Sequence, residues 1–352
     1  MKRWQRLVAV LFGVMLVATA CSSDDNGDSS GDTTTTEASD GSGLAGEGVT
    51  VGMALPGPQD DKGFNEAHYN GIILAEQELG ITPNVQENVA DPDARIDAMR
   101  NLAADNELVI GVGAEFAEAG LTIAPQFPDV QFVVINGETD PEIDNLHVYG
   151  VRQGVPAYVA GVLSASEEFA AETGVDVSSV GYVGGEEIPP TTQSDDGYKA
   201  GVEDTDDSIE YASTIVGDFN DAPKAKDAAV AQIDAGAQVI FGLIDAGYPG
   251  IIQAAEEAGG EELLFSVIFP RCDDYPNLVG TAFLNSDVLV ESIVQDFLDD
   301  DLVAEPFFYG VEDPEIQRLE LCPNFQTPEL TKVVDDTQAA INDGSITLPD
   351  GV

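Results

Sequence analysis

Positive charge is scarce in this chain: 13 lysines and arginines stand against 65 aspartates and glutamates in 352 residues, for a formal net charge of −52. Such a field repels nucleic acid, whose binding needs cationic contacts to phosphates, so no nucleic-acid partner is expected. Histidine is scarcer still, with only His68 and His147. No H-E-x-x-H, nucleophile elbow or phosphate loop appears, and no Ser-His-Asp arrangement is supported by spacing. Paired acids such as Glu186 and Glu187 carry little information in so acidic a chain. The expectation is no catalytic residue, no metal and no cofactor. Long apolar runs are also missing, apart from Leu7 to Ala20, and that run falls short of the roughly 20 residues a bilayer-crossing helix needs.

What is present at the start decides the compartment. Lys2, Arg3 and Arg6 precede the apolar run, which ends in small residues before Cys21, the layout of a signal peptide over residues 1–20. The "VATAC" stretch looks like a bacterial lipobox whose cysteine, Cys21, receives a lipid and holds the protein on the outer side of the cell membrane. It departs from the usual pattern at Ala18, where leucine is common, and ordinary secretion with an idle Cys21 is the alternative. From Ser22 to Gly46 there are six acids and no basic residue. Residues 21–46 therefore read as a lipidated cysteine with an acidic tether that cannot bury itself. "GSGLAG" inside it matches a dinucleotide fingerprint by count alone, because it precedes the first strand instead of following one.

The other two cysteines, Cys272 and Cys322, have no histidine or further cysteine at ligand spacing. In an exported chain such a pair reads as a disulfide before a metal site. Sequence alone does not place their α-carbons within bridging range.

Beyond the tether, short apolar runs alternate with helix-length segments: "GVTVGMAL", "NVQENV", "ELVIGVG", "QFVVIN" and "HVYGV", then again "VGYVGG", "YASTIV", "AQVIFGLI" and "LLFSVIF". Strand-helix alternation with nearly continuous apolar strands specifies parallel sheets covered on both faces. The expected fold is α/β, two doubly wound parallel-sheet lobes with a ligand cleft between them, of the type I periplasmic-binding-protein kind. The expected division is 47–150 plus about 280–310 for the N-terminal lobe and 151–279 plus about 311–352 for the C-terminal lobe. Among the helices, one is expected over Ala157 to Phe169, and a strand over "FFYGVED".

Ligands in open parallel sheets sit outside the carboxyl ends of the strands. The loops there carry the candidate ligand-binding residues Asp61, Phe64, Asn65, Asn136, Phe219, Tyr248 and Arg271. Phe64 lies outside the apolar stripe of its helix and is expected to face the cleft. Aromatic faces suit flat heterocycles, and base stacking on them contributes about 1 to 3 kcal/mol. Asn65 offers donors and an acceptor to a ring edge. "GDFNDAPK" places Phe219 in an equivalent position of the second lobe, and the alternative for either ring is a plug in its lobe's core. Tyr248 reads as a further wall. Arg271 reads as a partner for an anionic or carbonyl group, or for Asp273 or Asp274.

The chain resembles the basic-membrane-protein (BMP/Med) family of substrate-binding lipoproteins that serve ABC importers, whose studied members bind purine nucleosides. The resemblance covers Val49 to Pro349. It rests on "DDKGFN", "ELVIGVG" followed by "APQFPDVQFVVIN", "YVAGVLSA", "VGYVGGEEIP" with "GYKAG", "GDFNDAPKAKDAA", "IIQAA" and "INDGSITLP". It implies purine stacking by Phe64 with hydrogen bonding by Asn65, and Phe219 as the second-lobe aromatic. The pattern departs elsewhere. Leu55 and Pro56 stand where the family has a base-reading aspartate, and Asn136 replaces another. Ile268 or Phe269 replaces the ribose-binding acid, and Leu284 the lysine. The implied function is delivery of a small planar ligand (purine nucleoside, nucleobase or related heterocycle) to ABC permease and ATPase subunits by lobe closure, as a monomer. A ligand-sensing subunit of a membrane signalling system and an exported nucleoside-processing enzyme are the alternatives.

Overall fold

The computed structural model of the protein describes residues 43–61, 63–137, 143–349 and 351–352. The leader, Cys21 and most of the expected tether lie outside the described residues. The apolar runs form two six-stranded sheets. The first contains β1 (Thr50–Ala54), β2 (Thr82–Gln86), β3 (Leu108–Val112), β4 (Gln131–Ile135), β5 (Leu146–Val151) and β11 (Phe307–Tyr309). Its order is β11-β5-β4-β3-β1-β2, with every pair parallel. The second contains β6 (Ser179–Gly184), β7 (Glu210–Ile215), β8 (Val239–Leu243), β9 (Leu263–Ile268), β10 (Leu278–Leu284) and β12 (Gln317–Leu321). Its order is β12-β10-β9-β8-β6-β7, and only β12 runs antiparallel.

The two orders are the same pattern. In each, the chain starts inside the sheet, steps to one edge, then returns past its starting strand. The reversal point lies between β1 and β3 in the first sheet and between β6 and β8 in the second, where doubly wound folds open their ligand crevices. β3 and β8, inside their sheets, are buried along their whole length, whereas the edge strands β2 and β7 are partly exposed. The continuous apolar runs of the sequence have this cause.

The chain crosses between the sheets after β5, after β10 and after β11. The second sheet takes β10 whole, so the return to the first begins with helix α9 (Ser286–Leu298), a few residues later than 280. That helix packs on α1 (Phe64–Leu79), where a Cβ at Gly71 would lie 2.7 Å from the Ser286 carbonyl oxygen. The final helix α10 (Pro328–Asn342) packs on the second lobe. The expected strand over "FFYGVED" is the short β11 alone, and "QRLEL" supplies the unexpected antiparallel β12.

The helix expected from Ala157 to Phe169 is two, α4 (Gly154–Ala165) and α5 (Glu167–Thr173). Ser166 separates them in an extended conformation, its hydroxyl accepting from the Phe169 amide, as an N-cap does. The α4 helix is buried nearly throughout and lies directly on α6 (Pro189–Thr205). Glycines let the backbones touch: a Cβ at Gly161 would sit 2.3 Å from the Tyr198 carbonyl oxygen, and one at Gly201 2.1 Å from that of Tyr158. Backbone atoms cannot yield as a flexible side chain would. Gly201→Ala is therefore expected to destabilise the protein by about 1–3 kcal/mol, the range for overpacking, measured as a lowered urea midpoint at constant slope. An unchanged midpoint would mean that α4 and α6 are not in backbone contact.

Candidate functional site

The loop from β1 into α1 is held by two side chains. Asp61 accepts from the amides of Gly63 (2.9 Å), Asn65 (3.1 Å) and Glu66 (3.0 Å), so it caps α1 from outside the helix. It also accepts from Asn65 Nδ2 at 2.6 Å, while Asn65 Oδ1 accepts from the Gly57 amide at 3.0 Å. Asn65 is buried. The sequence suggested that Asp61 and Asn65 face a ligand; the structure engages both in shaping the loop that presents Phe64.

Phe64 is partly buried and packs against the apolar cores of both lobes. Its ring centroid lies 4.3 Å from that of His68, one turn on. His68 is fully buried, with Nδ1 2.7 Å from the Phe64 carbonyl oxygen. Burial lowers its pKa to about 4, against the opposing effects of that carbonyl and the Asp61 charge. The imidazole is thus neutral at physiological pH, with Nδ1 donating to the carbonyl, and it backs the Phe64 ring as an uncharged plate.

In the second lobe, Phe219 lies on the loop between β7 and α7 (Ala222–Asp234). Its ring covers Gly185, where a Cβ would come within 2.1 Å. The Phe219 carbonyl accepts from the amides of Asp245 and Gly247, both at 3.0 Å, which ties this loop to the one after β8. At the end of β9, Ile268 takes a φ of 67°, unusual for a β-branched residue, and the Phe269 amide donates to the Val267 carbonyl at 2.9 Å. This is a tight, strained three-residue turn, and it redirects the chain after β9. Phe64, Phe219 and Phe269 thus all pack on the core of the second lobe while remaining partly exposed. Around them Leu55, Ile268 and Leu284 are buried and apolar.

Tyr248 requires a correction. It is completely buried at the start of α8 (Tyr248–Ala258), and its hydroxyl donates to the Phe265 carbonyl at 2.9 Å. It supports the loop from beneath and is no wall of the cleft. Arg271 lies over its ring, 5.3 Å from the centroid, and 3.7 Å from an Asp274 carboxylate oxygen. Asn136 ends β4 in a left-handed conformation (φ 61°), where its Oδ1 accepts from the Val151 amide at 3.2 Å.

Two cavities lie between the lobes. One of about 230 Å³ is lined by Glu66 and Asn70 from the first lobe and by Phe269, Pro270, Arg271 and Asp274 from the second. The other, of about 270 Å³, is bordered by Asn136, Arg152 and Phe308 on one side and Pro189, Pro190 and Gln193 on the other. Arg271 and Asn136 therefore belong to different cavities.

The sequence reading passed over Asp245. It sits at the reversal point of the second sheet, just after β8, and approaches Gly63 so closely that a Cβ there would be 2.7 Å from its Oδ1. Its pKa is raised to about 7, first by burial and then by the Asp61 charge, against the nearby Arg271 charge. A lone acid between an apolar strand and "AGYPG" was the available signal. Glu115 is also pushed up, mainly by burial and further by Glu186, with Arg95 opposing. Like charges thus meet between the lobes at two places. Among the described residues, no group of three or more His, Cys, Asp or Glu side chains could hold a metal ion, and no helix is long and apolar enough to cross a membrane.

With this geometry in hand, comparison with known proteins is informative. The profile of the Bmp family, described as "ABC transporter substrate-binding protein PnrA-like", matches residues 48–349. Basic membrane protein D of Borreliella burgdorferi (strain JD1) is 26% identical over 309 residues, covering 86% of this chain and 83% of that protein. A purine-binding protein of Brucella abortus (strain 2308) is 28% identical over 222 residues, covering 62% of this chain and 60% of its own. Among solved structures, an ABC transporter solute-binding protein from Aeropyrum pernix K1 superposes with a TM-score of 0.72 at 20% identity, over 86% of this chain and 94% of that one. That likeness establishes the fold, two parallel-sheet lobes of the type I periplasmic solute-binding class.

The segment that carries Phe269 and Arg271 is anchored by the disulfide Cys272–Cys322, whose α-carbons are 5.4 Å apart and whose partners are separated by 50 residues. It joins the loop after β9 to the end of edge strand β12. Closing a loop of that length limits the unfolded chain. Replacing both cysteines by serine is expected to cost about 2–4 kcal/mol, read from the urea midpoint under non-reducing conditions. A double variant as stable as the parent would show that the bridge does not brace this loop.

Proposed function

The chain belongs to the Bmp family of PnrA-like ABC transporter substrate-binding proteins, and from that premise we propose that it is an extracytoplasmic lipoprotein delivering a small planar ligand to an ABC importer. The ligand class is a purine nucleobase, a nucleoside or a related heterocycle. One observation carries this reading: Phe64, borne by the first lobe, packs against the cores of both lobes. A solute held there has an aromatic face on one side and meets the second lobe's Phe219 and Phe269 as the lobes close. The purine-binding relative from Brucella abortus supports the same class.

The surrounding polarity favours a base over a ribose. Ile268 and Leu284, in the positions of the family's ribose-binding acid and lysine, are buried and apolar, and each sugar hydroxyl left unpaired against such residues costs about 1–3 kcal/mol. Delivery works by hinge closure: the ligand meets one lobe, the other closes, and the closed form docks on the permease. Attachment through Cys21 rests on the sequence, since that residue lies outside the described ones. The family role is binding, and we assign no catalytic step to the chain.

A thermal-shift screen of the protein against nucleobases, nucleosides and small heterocycles tests the ligand class, and a hit list without planar rings would overturn it. For any hit, Phe64→Ala is expected to weaken binding at least about tenfold, on the scale of one lost stacking contact, while the ligand-free protein, which loses the ring's packing on both cores, unfolds at a lower temperature but stays folded at 25 °C. Calorimetry showing equal affinity would remove Phe64 from the site.

A further inference from the structure

Where the two lobes join, three buried side chains each keep a polar atom without a hydrogen-bond partner among the described residues: His68 Nε2, Ser286 Oγ and Gln317 Oε1. We propose that these residues form a polar pocket that receives the N–H edge of a planar ligand, with His68 Nε2 as the acceptor that selects it. The inference rests on the planar-ligand reading above and narrows it to heterocycles that keep an unsubstituted N–H.

The fold brings the three residues to one place. His68 stands one turn before Gly71 on α1, and a Cβ at Gly71 would lie 2.7 Å from the Ser286 carbonyl oxygen at the start of α9. Leu284, two residues before Ser286, is the register partner of Gln317 across β10 and β12. Between them the Asn285 amide donates to the Ile316 carbonyl at 2.8 Å. α1 follows β1 and α9 follows β10, at the carboxyl ends of parallel strands, where α/β folds take their ligands. His68 and Ser286 ride on the packed helices α1 and α9, whereas Gln317 belongs to the second sheet, so the pocket is divided between the lobes. The Phe64 ring stands beside it, 4.3 Å from the His68 ring.

These atoms make an acceptor set. The Phe64 carbonyl oxygen, 2.7 Å from His68 Nδ1, has no proton to give, so Nδ1 carries the hydrogen. Burial keeps the ring neutral, which leaves a lone pair on Nε2. Gln317 adds an amide oxygen, and Ser286 a hydroxyl that donates or accepts. None of the three residues is more than 1% exposed. Buried polar atoms left unmet work against the fold, and proteins keep such local conflicts where function uses them. A heterocycle stacked on Phe64 carries its N–H groups in the ring plane, at the edge of the stacked face. One whose nitrogens are all alkylated offers no donor to His68.

Calorimetry at pH 6 with xanthine and with caffeine, its trimethyl derivative, reads the selection, because the rings are the same and only xanthine keeps N–H groups. The wild type is expected to bind xanthine at least about tenfold more tightly than caffeine, on the scale of one buried acceptor left unmet. His68→Phe should erase that preference while caffeine binding persists. Equal affinities in the wild type, or a preference that survives His68→Phe, would overturn the proposal. A second readout needs no ligand. Ser286→Ala and Gln317→Met each delete an unpartnered polar atom, so the urea midpoint of the intact protein should rise in both at constant slope. An unchanged or lowered midpoint in either variant would mean that the pocket's polar atoms are already satisfied, as by ordered water, and would also overturn it. If neither compound binds, the midpoints decide. Failure of the planar-ligand reading looks different: no planar ring binds at all, whereas failure here leaves binding intact and removes only the N–H selection.

Discussion

The Phe64 ring is shared between two hydrophobic cores, and that sharing constrains how the lobes meet. A side chain packed on only one lobe could remain in place while the other swung away. This one loses part of its apolar contact whenever the lobes separate, at roughly 25 cal/mol for each Å² returned to water. The neighbouring loop is built to keep the ring there. Asp61 caps the helix, Asn65 clamps the Gly57 amide, and His68 supplies an uncharged face behind it. None of these groups needs to touch a solute to matter for the proposed binding, since each fixes the position of the ring beforehand.

The second lobe answers with a different construction. Its aromatics sit on loops that are coupled to one another: Phe219 over Gly185, its carbonyl holding the Asp245 loop, and Phe269 just past the strained turn at Ile268. The disulfide fixes the far end of the Phe269 segment. The lobes are alike in strand order, yet the loops they carry at the reversal points are unlike. The first offers a capped helix end, whereas the second offers braced loops. Strand order fixes where a crevice opens, and the loops after each strand fix what it can hold.

Much of this was legible in the sequence because the signal is local. Buried parallel strands need continuous apolar runs, and those of β3 and β8 mark themselves. Asp221, one residue ahead of Ala222-Pro223, caps α7 by accepting from the Lys224 amide, and Gly80 ends α1 in a left-handed conformation. What was illegible depends on distant partners. Nothing near Tyr248 reveals that the Phe265 carbonyl will bury its hydroxyl. Asn65 looked free for a ligand because its acceptor role depends on the chain folding back to bring the Gly57 amide to it. β12 is a five-residue edge strand with alternating burial, too short and mixed to stand out, and it exists because β10 offers it an edge.

Acidity sets the remaining constraint. With 65 acids against 13 basic residues, each lobe is strongly negative, and bringing them together opposes itself at Asp61 against Asp245 and at Glu115 against Glu186. Long-range repulsion between exposed charges is largely screened beyond about 8 Å at physiological salt, so the contest is decided at contact distance. There the repulsion is met by a group that carries no charge, the Phe64 ring packed on both cores, while Asp61 is engaged by the amides of Gly63, Asn65 and Glu66. Arg271 and Arg95 supply the local positive charge. An apolar contact at Phe64, beside a glycine small enough to admit Asp245, is therefore how so acidic a pair of lobes meets at this point.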